Sequence, residues 1–575
     1  MLDTIRDAPL GQLIRLITRN KVLLHPEERE GFQFPKLATG EAINQTLETS
    51  PETTERDAAT DEETLPVESS MERQLSQEYS RERLELDEEL DLEKTRSRPI
   101  SLQRSKDGFV LVDWYTTDDP ENPQNWSQGK KIFVLTQICL YSFAMYGGSS
   151  IYVLGEQGVM DRFNVGNAAA AMGLAIYVIG YGIGPLLFAP LCEIPAIGRN
   201  GVYTPTFILF VIISIPTVMV DNYAGLLVLR FLQGLLSSPC LANGGASVGD
   251  MFNLLMLPLY LSSWTAACFW GPAIGPVVSG YAISAEGWRW SLWILVWMSA
   301  PILVLYLIAC PETSAETILR RRAQRLRQLT GRTDLRSQSE IKQATMTLSS
   351  IFADAIIKPI EIMVKDPAVS FTNVYTALTY GIYYSFFEVF PLVYIDIYHF
   401  NLGELGLTFL TIGVACLIGV ALFNGYLLLY LVPDIKKRGL RAPEHRLVPA
   451  LFAVCTLPMG YFMFGWTARH SVHWIVSMIG VTILVTSNFI IFQCIFVYLP
   501  LSYPQYAASL FAGNDLFRAL FAAGCVIFSR PMFIKLGVGG GVSLLAGLAV
   551  VGIAGMVSLY VFGAKLRARS TFAVA

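Results

Sequence analysis

Twelve runs of roughly twenty apolar residues constrain this chain more than anything else in it. They lie at 132–154, 167–189, 202–220, 223–244, 260–282, 291–309, 368–392, 406–431, 447–467, 473–499, 506–529 and 542–564. At a rise of about 1.5 Å per residue, each is long enough to cross a bilayer as an α-helix. A backbone in hydrocarbon must satisfy its own hydrogen bonds, so helices are the default. The runs are too continuous for the alternating pattern of an outer-membrane barrel. The expected fold class is therefore an all-α membrane protein. Composition agrees: 53% of residues are hydrophobic and 16% are charged, against roughly 25% charged in an average soluble protein.

The polar segments divide the chain. From Glu41 to Glu93 there are 18 Asp/Glu against 4 Lys/Arg, a local net of -14. Such a stretch cannot bury enough apolar surface to offset its ordering entropy, so residues 1–130 are expected to form a largely disordered, acidic tail. At its start, Leu10, Ile14 and Ile17 share one helical face beside Arg15 and Arg19. That pattern fits either a short docking helix or one lying on a membrane surface. Asp3 and Asp7 and the lack of a continuous apolar core argue against a signal peptide. A basic loop, 310–366, with Arg320, Arg321, Arg322, Arg325 and Arg327, separates the sixth run from the seventh. The expected layout is a six-helix bundle at 131–309, the linker at 310–366, a second six-helix bundle at 367–566 and a short tail at 567–575. Two pseudo-symmetric halves around a midplane cavity would follow.

Orientation comes from the basic residues. If the tail is cytosolic, 19 Lys/Arg after the first run fall on cytosolic connections and the C-terminal tail. Only 5 fall outside: Arg162, Arg289, Arg469, Arg530 and Lys535. This asymmetry puts both termini in the cytosol. The sequons at Asn44 and Asn125 then face the cytosol and are chance matches. The net charge of -4 shows no basic excess suited to nucleic acid. The nine cysteines stand without metal-ligand spacing, so neither metal nor cofactor is expected. No GxxxxGKS or GxxxxGKT string encodes ATP use, and no GxSxG string suggests a hydrolase. The five histidines are too few and too scattered for an enzyme at the membrane interface.

Several motifs sharpen this. Gly271-Pro272-Ala-Ile-Gly275-Pro276-Val-Val-Ser-Gly280 would destabilise a helix in water, but small residues let helices approach closely in a membrane bundle. Arg230 lies about 12 Å into the fourth run, with Gln233 and Gly234 on its face. A charge at such depth faces a cavity or a partner by default. Glu193 precedes Gly198-Arg199 between the second and third runs. Asp515 is the clearest buried carboxylate, with Arg518 three residues on. They form either a structural ion pair or part of a proton path. Glu388 sits among Tyr383, Tyr384, Phe386, Phe387 and Phe390, either a contact for proton or substrate or a rim residue. The aromatics line a cavity or simply pack. Asn488, Gln493 and Asn514 are further polar candidates for that cavity.

The glycine–proline string resembles the antiporter signature of major facilitator exporters. Gly184-Pro to Arg199-Asn200 is similar to the superfamily's cytosolic loop motif, with Glu193 where Asp is commoner. Asp119-Pro-Glu-Asn-Pro-Gln-Asn-Trp126, Gly287-Trp-Arg-Trp290 and Pro443-Glu-His-Arg446-Leu narrow the resemblance to fungal drug:proton antiporters with twelve spans. Within these it is closest to the multidrug-resistance branch associated with benomyl and cycloheximide tolerance. The resemblance implies the major facilitator fold, 6+6 helices in two bundles, and a plasma-membrane exporter of drugs, fungicides or toxins that works by alternating access. A small hydrophobic organic substrate, protons and the lipid bilayer would be its partners, and it would act as a monomer. Arg230, Asp515 and Arg518 would couple protons. Gln233, Tyr383, Tyr384, Phe387, Glu388, Asn488 and Asn514 would line the cavity, and Glu193, Gly198 and Arg199 would form a cytosolic gate. Gly271, Pro272, Gly275, Pro276 and Gly280 would carry the antiporter motif. A dedicated exporter of one secondary metabolite is the alternative; uptake, or a non-transporting sensor, is more remote.

Overall fold

The computed structural model describes residues 2–29, 31, 32, 100, 104, 108–253, 255–344, 348–439, 441–503, 506–570 and 572. The acidic stretch 41–93 lies outside the described residues. The described chain forms two compact units.

The larger unit comprises residues 1–23, 127–314 and 347–575. Its long helices are Gln128–Ser150, Asn167–Glu193, Gly198–Met219, Tyr223–Met251, Leu257–Glu286, Arg289–Ala309, Pro367–Phe390, Leu410–Tyr426, Val448–Thr467, Trp474–Ser502 and Ala507–Arg567. Their boundaries follow local chemistry. The Asn222 side chain accepts from the Ala224 N–H at 3.1 Å and opens the helix that carries Arg230. Asp366 accepts from the N–H groups of Ala368 and Val369, with Pro367 at the first helical position.

Ten stretches are long and apolar enough to cross a membrane, where the sequence suggests twelve. Two helices account for the difference. The stretch Ser509–Arg567 is counted once, yet it breaks at Gly537, whose φ of 72° and ψ of 161° are non-helical. A side chain there would strain the backbone, so the eleventh and twelfth runs are separate helices meeting at that glycine. Helix Pro367–Phe390 is 24 residues long but is not among the ten. Thr372, Asn373, Thr376, Thr379 and its tyrosines make it too polar, and all of these are buried. Lipid-facing positions show the opposite character: Trp297, Leu429, Phe452 and Val551 are all exposed, as expected where hydrocarbon is the solvent.

Two short helices, Leu2–Asp7 and Pro9–Ile17, begin this unit. Leu10, Leu13, Leu16 and Ile17 are exposed on the second. Arg15 is instead turned in and donates to the Leu23 carbonyl at 2.5 Å.

The smaller unit comprises 24–126 and 315–346, and so draws on both the segment before residue 130 and the basic linker. Val110–Leu111 pairs in parallel with Leu335–Arg336. Val110, Val112, Ala323, Leu326 and Leu335 form a small core with Phe32 packed on it. Beside it, Arg322 is buried against three carboxylates: Asp119 at 2.7 Å, Glu121 at 2.9 Å and Glu27 at 3.1 Å. Arg325 adds contacts to Glu27 and Glu121 at 3.4 and 3.3 Å, and His25 meets Glu121 at 2.9 Å. The Asp119–Trp126 motif thus supplies acids to the linker helix Ala315–Thr330.

Candidate functional site

Arg230 is fully buried. Its Nε donates to the Gly173 carbonyl at 3.1 Å, and Nη1 donates to the Gly148 carbonyl at 2.9 Å and to Gln233 Oε1 at 3.4 Å. The guanidinium lies 4.9 Å from the ring of Tyr152 and 4.5 Å from that of Tyr177. Its Nη2 has no hydrogen-bond partner, and no carboxylate among the described residues forms an ion pair with it. Backbone carbonyls and aromatic faces therefore hold this cation, where a fixed counter-ion would be the usual solution. Gln233 is spent on the same network: its Nε2 donates to Ser214 Oγ at 2.9 Å.

Asp515 and Arg518 make a direct ion pair. The Arg518 guanidinium lies 4.6 Å from the Tyr380 ring and 5.5 Å from those of Phe492 and Phe496. Asn514 points elsewhere, donating to Asn373 Oδ1 at 2.9 Å and Thr376 Oγ1 at 2.6 Å.

Tyr383, Tyr384, Phe387 and Glu388 are all buried. Tyr384 joins a hydroxyl cluster that the sequence reading missed. Tyr181 lies 2.6 Å from Tyr380 and 3.1 Å from Tyr384, and Ser149 lies 3.4 Å from Tyr384. These contacts tie Asn167–Glu193 to Pro367–Phe390. Tyr383 and Phe387, with Phe386, Phe390 and Phe409, line a narrow apolar pocket. Asn488 and Gln493 are buried with both amide atoms unpartnered, and the Tyr383 hydroxyl is unpartnered too. Tyr383 is the one of these three residues that lines the pocket; orphaned polar groups in an apolar bundle suit a site that takes an organic guest with a few hydrogen-bonding atoms.

A second carboxylate escaped the sequence reading. Glu156 follows the tight turn Val153–Gly155 and opens the helix Glu156–Phe163. It is buried, with Oε1 unpartnered. A first run ending at 154 leaves it in a loop. The signal available was an acid only two residues beyond an apolar run, in Leu154-Gly155-Glu156.

The glycine–proline string lies in Leu257–Glu286. A Cβ on Gly271 would sit 2.5 Å from the Phe143 carbonyl oxygen and 2.7 Å from the Gly147 nitrogen; one on Gly275 would sit 2.6 Å from Ser150 Oγ. This helix and Gln128–Ser150 therefore touch backbone to backbone. Pro272 and Pro276 lie within the same helix, and Gly280 abuts the Leu402 carbonyl.

At the other end of the unit, Arg199 Nε meets Asp250 at 3.3 Å, and Thr313 donates to the same carboxylate at 3.1 Å. Glu312 accepts from the backbone N–H groups of Arg199 and Asn200, both at 3.1 Å. Gly198, with φ of 73°, turns the chain into this cluster. Glu193 is exposed, and the acid facing Arg199 is Asp250.

Among the described residues, His25, Glu27 and Glu121 bring potential metal-ligand atoms within 4.8 Å of one another. Arg322 and Arg325 already engage both carboxylates, so the charges there are balanced by guanidinium groups.

A multi-pass helical unit with a buried arginine, a glycine–proline contact and a paired-charge end defines a membrane solute carrier. The sequence profile of the Major Facilitator Superfamily matches residues 138–513, and the chain belongs to that family, whose members are transporters and not enzymes. It is 42% identical over 471 residues to the MFS-type transporter pyvG of Aspergillus violaceofuscus, covering 82% of this chain and 87% of that protein. It is 38% identical over 487 residues to Fluconazole resistance protein 1 of Saccharomyces cerevisiae, covering 83% and 88%. Among solved structures, the peptide transporter POT in complex with sulfate shares the fold. The TM-score is 0.55 at 15% identity, over 77% of this chain and 97% of that one.

Proposed function

We propose that the chain is a proton-coupled efflux antiporter that exports hydrophobic drugs, fungicides or toxins by alternating access. In this reading it works as a monomer in the plasma membrane, with 6+6 spans and both termini cytosolic. The observation that carries the proposal is Arg230, a buried cation with no ion-pair partner among the described residues. It lies in the same unit as unpartnered carboxylate oxygens of Glu156 and Glu388. A charge left unneutralised in an apolar bundle is costly, and proton movement is a means of changing that balance. The aromatic pocket around Tyr383 and the orphaned amides of Asn488 and Gln493 support an organic substrate. Similarity to Fluconazole resistance protein 1 favours an azole-like guest. The Arg199–Asp250–Glu312 cluster is read as the cytosolic gate and the Gly271–Gly280 string as the pivot between helices.

Expression in an efflux-deficient yeast tests the reading. Fluconazole accumulation should fall, and the fall should vanish when a proton uncoupler is added. Unchanged accumulation across fluconazole and a broad drug panel would refute it.

A further inference from the structure

The helix Pro9–Ile17 presents two unlike faces. At 3.6 residues per turn, Leu10, Leu13, Leu16 and Ile17 fall within an arc of about 120°, and Gly11 and Arg15 lie opposite. Gly11 and Arg15 are buried. A Cβ on Gly11 would sit 1.8 Å from the Ile5 carbonyl oxygen, so the helix Leu2–Asp7 passes against this face. The four apolar residues are exposed instead. Leu16 is 75% and Ile17 72% exposed, more than Trp297 at 67% on a membrane helix. Large apolar side chains gathered on one open face mark a surface that something apolar covers. The helix packs on Arg289–Ala309, which carries the exposed Trp297, Val304 and Ile308. The open face thus belongs to an element seated on a lipid-facing helix.

Beyond Ile17 the chain hooks back. Arg19, Asn20 and Leu23 have φ of 51°, 59° and 58°, an uncommon region for residues other than glycine. The Thr18 N–H donates to the Ile14 carbonyl at 2.9 Å and the Asn20 N–H to the Arg15 carbonyl at 2.7 Å. Arg15 closes the hook from the buried side through the Leu23 carbonyl. Arg19, Lys21 and Val22 are thereby held at the end of the helix, and all three are exposed. Residues 8–23 hold three cations and no acid. Asp3 and Asp7, which precede them, both meet Arg6.

We propose that Pro9–Ile17 lies in the headgroup region of an anionic bilayer leaflet, with Leu10, Leu13, Leu16 and Ile17 in the acyl chains and Arg19 and Lys21 on the acidic headgroups. An apolar face with cations at its margin is the pattern of a helix that lies in a membrane surface. Anionic lipid attracts basic residues held beside it, and here no acid opposes that attraction. A second copy of the chain fits the patch less well, because pairing two copies face to face would bring their like charges together. A helix of nine residues is too short to be stable alone in water, so the bilayer and Arg289–Ala309 together hold it. In the orientation proposed above, the leaflet is the cytosolic one, whose surface is negative.

The test uses the full-length chain in vesicles of mixed phosphatidylcholine and phosphatidylserine. A photoreactive residue is introduced singly as Leu13→benzoylphenylalanine, Leu16→benzoylphenylalanine or Trp297→benzoylphenylalanine, and mass spectrometry identifies the adducts. Both leucine positions should yield lipid adducts, as the Trp297 position does. Phosphatidylserine should be over-represented among the Leu16 adducts relative to its share of the vesicle. Arg19→Gln with Lys21→Gln should return it to that share. Leu13→Asp with Leu16→Asp should raise hydrogen exchange in peptides from 2–22 and leave those from 289–309 unchanged. Lipid adducts at Trp297 but none at Leu13 and Leu16 overturn the proposal. Adducts from Leu16 to a second copy of the chain, or a phosphatidylserine share equal to that of the vesicle, overturn it as well. None of these readouts involves transport, so they stand or fall apart from the export reading.

Discussion

Replacing Arg322 with methionine should open the smaller unit while leaving the membrane helices folded. The Arg322 side chain is 1% exposed, and its guanidinium touches Asp119, Glu121 and Glu27 within 3.1 Å. It also lies 4.1 Å from the Tyr115 ring. Methionine fills much of the volume but removes the cation that all three acids share: Glu27 and Glu121 keep Arg325 and His25, whereas Asp119 is left with the N–H groups of Tyr115 and Glu121. Removing one partner of a buried ion pair costs about 3–5 kcal/mol. At about 1.4 kcal/mol per decade, the opened form should rise by roughly two to three and a half decades. The unit's apolar core is small and cannot offset such a loss. Hydrogen–deuterium exchange on the full chain in nanodiscs reads it directly. Peptides covering 110–126 and 315–330 should lose protection by that factor, and those from 223–251 should not change. Arg322→Lys should fall between, because an ammonium lacks the planar fork that reaches several carboxylates. Adding Glu27→Gln and Glu121→Gln to Arg322→Met should restore part of the protection. Unchanged exchange in Arg322→Met would refute the reasoning.

The same unit should be acid-labile. Burial pushes the Glu121 carboxyl up, but the His25 hydrogen bond and the charges of Arg325 and Arg322 outweigh it, holding it well below the ordinary carboxylate range. Burial also raises Glu340, but the hydrogen bonds from Arg327 and the Ser337 N–H, with the charges of Arg327 and Arg320, together outweigh it and leave Glu340 lowered. Depressed acids contribute stability that is complete above their unfolded value of about 4.3 and is lost as pH falls through the folded one. Exchange protection at 110–126 and 315–340 should therefore hold from neutral pH to about 4.5 and then decline; a decline beginning near neutral pH would contradict this. Gly271→Val should force Gln128–Ser150 away from Leu257–Glu286, since its Cβ would lie 2.5 Å from the Phe143 carbonyl. Overpacking of this kind costs about 1–3 kcal/mol, so the melting temperature in detergent should drop and fluconazole export should fall. Wild-type values for both would show that the contact is dispensable.

The apolar runs made the helices legible because a membrane span is coded by length and hydropathy, which need no tertiary information. The break at Gly537 was legible as a gap between two runs. The buried face of Pro367–Phe390 was partly legible: its tyrosines and Glu388 stood out, but their partners did not, because Tyr181 and Ser149 come from distant helices. Arg230 announced itself by depth alone. Asp250 reads from the sequence as a helix-end or loop-gate residue, but its contact with Arg199, 51 positions earlier, is set by the fold. Glu156 was hidden by a boundary set two residues too early for a group that the fold buries. The role of Asp119 and Glu121 was invisible for a different reason. Their partner Arg322 is about two hundred residues further on, in a linker that reads as plain basic charge.

The central claim is that export of an organic substrate is driven by protons. The chain reconstituted in liposomes, with the lumen made acidic, measures it. Labelled fluconazole should accumulate inside as protons leave, and an uncoupler should abolish the accumulation. Fluconazole entry that does not depend on the pH gradient would contradict the account.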